Sequence, residues 1–169
     1  KSRCAGLFDR LEMIKKFHRN MGIAGWMACF MLASAWADGP TMPTPILPTY
    51  KQECAACHTP YPPGMLPAAS WQRVMRGLEH HYGTDASLEP AQVQKIAAWL
   101  KANAGTYKRV REEPPEDRIT RSAWFVREHR EVEAAVWKRS SIKSAAQCSA
   151  CHTQADVGRF DERQLRIPR

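Results

Sequence analysis

Two short stretches constrain this chain more than anything else in it. Residues 54–58 read CAACH and residues 148–152 read CSACH. Both fit C-x-x-C-H, the attachment pattern of c-type haem. The chemistry explains the spacing: two thiols form thioethers with the two porphyrin vinyl groups, and the next residue is a histidine whose imidazole reaches the iron. Each motif is a covalent clamp and an axial ligand in one piece. Cys54, Cys57, His58, Cys148, Cys151 and His152 are therefore the candidate cofactor-binding residues, for two covalently bound haem c groups. A Cys4 zinc site needs no histidine after its second cysteine and usually spaces its cysteine pairs ~15–20 residues apart. Here Cys57 and Cys148 are 91 residues apart. A thioredoxin-like dithiol needs a βαβ setting, and no run of alternating polarity suggests strands.

The N-terminal segment reads as an export signal. Lys15, Lys16 and Arg19 precede an uncharged apolar run over residues 21–37, which ends in Ala35-Trp36-Ala37, an A-x-A cleavage pattern. At this length a spanning anchor is the weaker reading. Met13 is a candidate start, with residues 1–12 upstream of it. Cleavage would remove Cys4 and Cys29 and leave residues 38–169, periplasmic and soluble, with every remaining cysteine inside a haem motif. It would also cut the formal charge from +8 to +4, from 19 basic and 15 acidic side chains. Without a basic cluster, that balance argues against a nucleic-acid partner.

The rest of the pattern is mostly α. Residues 38–49 carry four prolines and form an extended lead-in. A short helix is expected around the first motif, then a proline-rich loop over residues 59–67. A helix fits 67–82, with Pro67 in its first turn and Gly83 as its stop. Another fits about 88–103, with Ser87 as N-cap and Gly105 beyond its end. Residues 106–119, charged and containing Pro114-Pro115, read as a connector between an N-terminal haem domain (38–105) and a C-terminal one (120–169). A surface loop inside one domain is the other reading of that stretch. A long helix fits 120–139, followed by a short one around the second motif; the tail 153–169 has no clear period. Halves this small make thin cores, and a haem in each supplies apolar surface to pack against. Trp71, Trp99, Trp124 and Trp137 are read as that packing. Nothing in the pattern calls for an oligomer, so a monomer is expected.

Each haem iron has a second axial position, filled by His or Met or left open. On the 67–82 helix, Trp71, Val74, Met75, Leu78 and Tyr82 form one stripe. His81 falls on that stripe and is the expected ligand, opposite His58. His80 falls on the arginine side, a bystander and the runner-up. On the 120–139 helix, His129 sits among Phe125, Val132 and Val136, where an unpaired imidazole would be costly. His58 to His81 and His129 to His152 are both intervals of 23 residues. The expected metal ligands are thus His58, His81, His129 and His152. A crossed pairing, with His129 reaching the first haem, stays open on sequence. Met42, Met65 and Met75 are the remaining candidates; Met75 lies too far along its helix to share an iron with His81, and Met65 too near His58.

The stretches CAACHTPYPPGMLPAASW, GLEHHYGTDASL, WFVREHRE and CSACHTQADVGRFDE, with IP near the end, resemble the small dihaem cytochrome c family of proteobacteria. The resemblance covers nearly all of 50–169. It implies an N-terminal variant of the class I cytochrome c fold and a smaller C-terminal α haem domain. It also implies low-spin, low-potential bis-histidine haems in the periplasm. The partners it implies are a membrane b-type cytochrome or a small oxygen-binding cytochrome c. The expected function is single-electron transport between redox partner proteins, not an enzymatic reaction. A dihaem peroxidase or reductase, or a gas sensor, is the alternative; each needs an open or labile haem site.

Overall fold

A computed structural model describes residues 42–43 and 45–169. They belong to one compact unit, Asp38–Arg169. The expected signal peptide, residues 1–37, lies outside the described residues. Among the described residues five α-helices follow in order: α1 (Pro48–Cys54), α2 (Ala68–Arg76), α3 (Pro90–Ala102), α4 (Ala123–Glu128) and α5 (Ala134–Trp137), with short 3-10 turns between and after them. Among the described residues there is no strand, only two isolated bridges, His81–Thr84 and His152–Leu165. No described helix is long and apolar enough to cross a membrane.

The core gathers on α2 and α3. Trp71 and Met75 of α2 meet Ile96 and Leu100 of α3, with Tyr50 of α1 and Met65 and Leu66 of the proline loop closing the cluster. The loop is fixed by its own carbonyls: Tyr50 Oη donates to Tyr61 O at 2.6 Å and Trp71 Nε1 to Pro63 O at 2.7 Å. Gly105 N donates to Leu66 O at 2.9 Å. A Cβ on Gly105 would lie 2.5 Å from Gly64 O, so only glycine lets these two segments approach. Residues 120–169 contribute little core of their own: Phe125, Ile142 and Ala155 are the buried apolar side chains described there.

Two expected helices are cut short. The 67–82 helix ends at Arg76, where Gly77 lowers helical propensity and the chain tightens into the 3-10 turn Leu78–His80. His80, His81 and Tyr82 are therefore not on a helical stripe, and Tyr82 is 42% exposed instead of buried. The 120–139 helix breaks into α4 and α5. Ser122 opens α4, its Oγ accepting from Phe125 N at 3.3 Å. His129 closes it, its backbone N donating to Phe125 O at 3.1 Å. Beyond it Arg130 and Glu131 are exposed, so no apolar stripe carries the helix on. The next helix along differs only at its start: α3 begins at Pro90 with Glu89 as cap, its N–H held by Gln92 Oε1 at 3.3 Å, not with Ser87.

Residues 106–119 are packed against α2. Val110, Pro114 and Ile119 are buried. The Arg73 guanidinium bonds Asp117 at 2.6 and 2.8 Å and Glu113 at 2.5 Å. The bond from Arg73 comes first among the causes that hold the Asp117 carboxyl below its ordinary 3.8. A lowered folded value means the clamp contributes fully above the unfolded value and is lost as pH falls through the folded one. Arg73→Gln is thus expected to lower the melting temperature by a constant amount from pH 7 to about pH 4. In more acid solution the gap to the unsubstituted protein should close.

Candidate haem sites

The first site is built from the end of α1, the proline loop and the turn after α2. Cys54 is the last residue of α1, and Cys57 and His58 follow on the turn. His58 Nδ1 lies 2.7 Å from Thr59 O. A carbonyl only accepts, so Nδ1 carries the proton and Nε2 keeps a free lone pair. The Tyr61 ring stacks on His58 at 4.7 Å and 18°. His81 is the other ring beside it, its centre 6.2 Å from that of His58 and its plane tilted by 20°.

His81 reaches this position from a turn. Thr84 N donates to His81 O at 3.1 Å and Ala86 N to Leu78 O at 2.9 Å. The reversal uses left-handed backbone at Tyr82 (φ 52°) and Gly83 (φ 98°), which at Gly83 is unstrained. Tyr82 is pinned from outside, its Oη donating to Glu116 O or Asp117 O at 3.2 and 3.1 Å, with the Arg118 guanidinium 4.2 Å above its ring. The segment read as a connector thus braces the turn that carries His81. Tyr82, Arg73, Asp117 and Arg118 are supporting residues that sequence reasoning missed. The Pro114–Asp117 run signals a turn but not what the turn touches. Burial, then His58 and Arg118, pushes the His81 pKa down, which keeps the ring neutral as a metal ligand must be. His80 is exposed.

The second site joins α4 to the second motif. His129 Nδ1 lies 2.9 Å from Phe125 O, so again Nδ1 is the donor and Nε2 is free. Phe125 stacks on the ring at 4.0 Å and 22°, and Trp137 lies 5.7 Å away. His152 faces His129 at 6.1 Å with planes crossed at 81°. It follows the 3-10 turn Cys148–Ala150, its N–H donating to Cys148 O at 2.8 Å. Burial, then His129, pushes its pKa down. Its Nδ1 is buried with no hydrogen-bond partner among the described residues.

Two imidazoles on opposite sides of one metal ion, at metal–nitrogen bonds of about 2.0 Å, have ring centres about 6 Å apart. Both pairs fit that separation. The histidines brought together are His58 with His81 and His129 with His152; the crossed pairs are not ring neighbours. The cysteines fit thioether attachment better than thiolate chemistry. All four are free of disulfides. Burial pushes Cys54, with Glu53 adding to it, and Cys148 up to about 11, the opposite of the acidic thiol a redox dithiol needs. Among the described residues no three His, Cys, Asp or Glu side chains gather around a metal position. Met42, Met65 and Met75 are buried in the core cluster.

The two motifs also touch. Thr59 Oγ1 donates to Ser149 Oγ at 3.2 Å and accepts from Ser149 N at 3.2 Å. Gln147 Nε2 donates to Cys57 O at 3.3 Å, and Tyr61 Oη to Ala146 O at 2.7 Å. Burial pushes the Tyr61 phenol up, keeping it a neutral donor. Tyr61 therefore stacks on a histidine of one site while its hydroxyl ties down the approach to the other.

The dihaem cytochrome c family pattern matches residues 50–160. The X-ray structure of a dihaem cytochrome c from Shewanella baltica is 35% identical, covering 72% of this chain and 92% of its own, with a TM-score of 0.63. Two structures of the dihaem cytochrome c from Rhodobacter sphaeroides are 37% and 38% identical. They cover 71% and 70% of this chain and 99% of their own, with TM-scores of 0.61 and 0.60. No curated protein matches. The chain belongs to the dihaem cytochrome c family, and its cofactors are two covalently bound c-type haems.

Substitution separates ligand from bystander. His81→Ala and His129→Ala should each convert one haem to high spin, while His80→Ala leaves both low-spin in the visible spectrum. Tyr61→Phe should cost about 1 kcal/mol, the worth of one hydrogen bond, read as a drop of a few degrees in melting temperature.

Proposed function

We propose that this dihaem cytochrome c is a periplasmic single-electron carrier with both haems held between two histidines. Cys54 and Cys57 would attach the first, and His58 and His81 would hold its iron. Cys148 and Cys151 would attach the second, and His129 and His152 would hold its iron. The observation that carries this reading is the pair of facing imidazoles at 6.2 and 6.1 Å. When bound, each haem supplies one ferric/ferrous couple.

The chain's own residues set what those couples are used for. His81 and His129 occupy the positions where a small molecule would otherwise bind. The carbonyls of Thr59 and Phe125 orient His58 and His129 and raise their basicity as ligands. Histidine in place of methionine lowers the potential. The Thr59–Ser149 and Tyr61–Ala146 bonds keep the two motifs adjacent, which suits passage of electrons between the sites. Export rests on the apolar segment ending at Ala37. The partners that suit such a carrier are a membrane b-type cytochrome or a small oxygen-binding cytochrome c.

A peroxidase, reductase or gas sensor needs one accessible iron. Carbon monoxide added to the native reduced protein separates the two classes. No spectral change is expected, and potentiometric titration should give two one-electron steps. Stoichiometric uptake of carbon monoxide by either haem would exclude the carrier with both sites filled.

A further inference from the structure

The charge of residues 38–169 is divided unevenly. Residues 38–119 carry nine basic and nine acidic side chains; residues 120–169 carry ten and six. The excess lies at the end of the chain, where residues 138–169 hold seven basic and three acidic side chains. Close to the first site Arg73 pairs with Glu113 and Asp117, and Arg118 and Arg121 pair with Glu116. Among the described residues no carboxylate pairs with Arg139, Arg166 or Arg169.

These arginines are brought to one place. The tail folds back over the second attachment segment. Arg166 N donates to Cys151 O at 2.8 Å, Leu165 bridges to His152, and Thr153 Oγ1 donates to Gln164 O at 3.0 Å. The Arg139 guanidinium donates to Pro168 O at 2.6 Å. On the outside of this strap Leu165 is 41% and Ile167 51% exposed, with Arg166 and Arg169 exposed beside them. Exposed apolar side chains next to cations suit a brief redox contact: the apolar part dehydrates, and the charges steer the encounter.

The geometry points to this strap over Cys151 and His152 as the docking face for an acidic one-electron carrier protein, making the second haem the point of exchange. This rests on the carrier reading above. The exchange moves one electron: the partner is oxidised by one electron and the second haem reduced from ferric to ferrous, with no bond made or broken.

The test titrates the haem-loaded protein with oxidised flavodoxin, a small acidic one-electron carrier, at low ionic strength. Calorimetry reads affinity and backbone amide shifts read location. Three results are expected. Binding weakens steeply with added salt, and the largest shifts fall in residues 163–169. Arg166→Glu with Arg169→Glu costs about 10-fold or more in affinity, while the charge-matched pair Lys95→Glu and Lys101→Glu on α3 costs less than about 2-fold. If the strap variant does not take up haem, Arg169→Glu alone gives the same direction. Equal losses in both pairs, or the largest shifts in residues 48–58, would overturn the assignment. Undiminished affinity in the strap variant overturns the docking face and leaves the carrier reading intact, whereas carbon monoxide uptake by the native protein overturns the carrier reading whatever the binding data.

Discussion

Each site depends on an imidazole whose Nδ1 proton is given to a backbone carbonyl: His58 to Thr59 and His129 to Phe125. That one bond fixes the tautomer, sets the ring plane and leaves a single lone pair for a metal. The surrounding structure follows from keeping the ring in place. Tyr61 stacks on the His58 ring and Phe125 on the His129 ring. His81 and His152 then arrive from segments that have no helical partner of their own, one in a turn and one after a 3-10 turn.

The two halves solve the same problem with different resources. The first has a conventional helical core on α2 and α3, and its second histidine, His81, sits in a turn braced from outside by residues 116–118. The second has few buried apolar side chains, and its short helices converge on the facing histidines. A haem is large and mostly apolar, so there it stands in for the core that a chain this short cannot build. The seam between Thr59 and Ser149 joins the halves at the attachment motifs themselves.

Much of this was legible in the sequence because attachment is covalent and local. C-x-x-C-H states its chemistry in five residues, and the helical class follows from period alone. The surroundings of His81 and His129 are harder to read. His81 was expected from a helical stripe, but the helix has ended by then, and the ring faces His58 because of Tyr82, Gly83 and Thr84. His129 was expected in mid-helix and instead closes a helix of six residues. Apolar spacing picks out His81 and His129 but not the backbone that carries them, and it places Tyr82 on a buried stripe although Tyr82 is 42% exposed, because Gly77 and the charged 128–133 run decide where a helix stops. The brace on Tyr82 spans 34 and 35 residues and left no local signal. The equal intervals of 23 residues reflect no repeat, since His81 follows its motif through α2 and His129 precedes its motif through α5.

The imidazole planes give the most direct measurement of all. They are nearly parallel in the first pair, at 20°, and nearly perpendicular in the second, at 81°. Parallel ligand planes split the iron orbitals that point between the ligands, and perpendicular planes leave them almost degenerate. The low-temperature EPR spectrum of the oxidised, haem-loaded protein should therefore contain two low-spin ferric signals of equal weight, one rhombic and one highly anisotropic. A high-spin ferric signal of comparable weight from the native protein would contradict two histidine-capped haems.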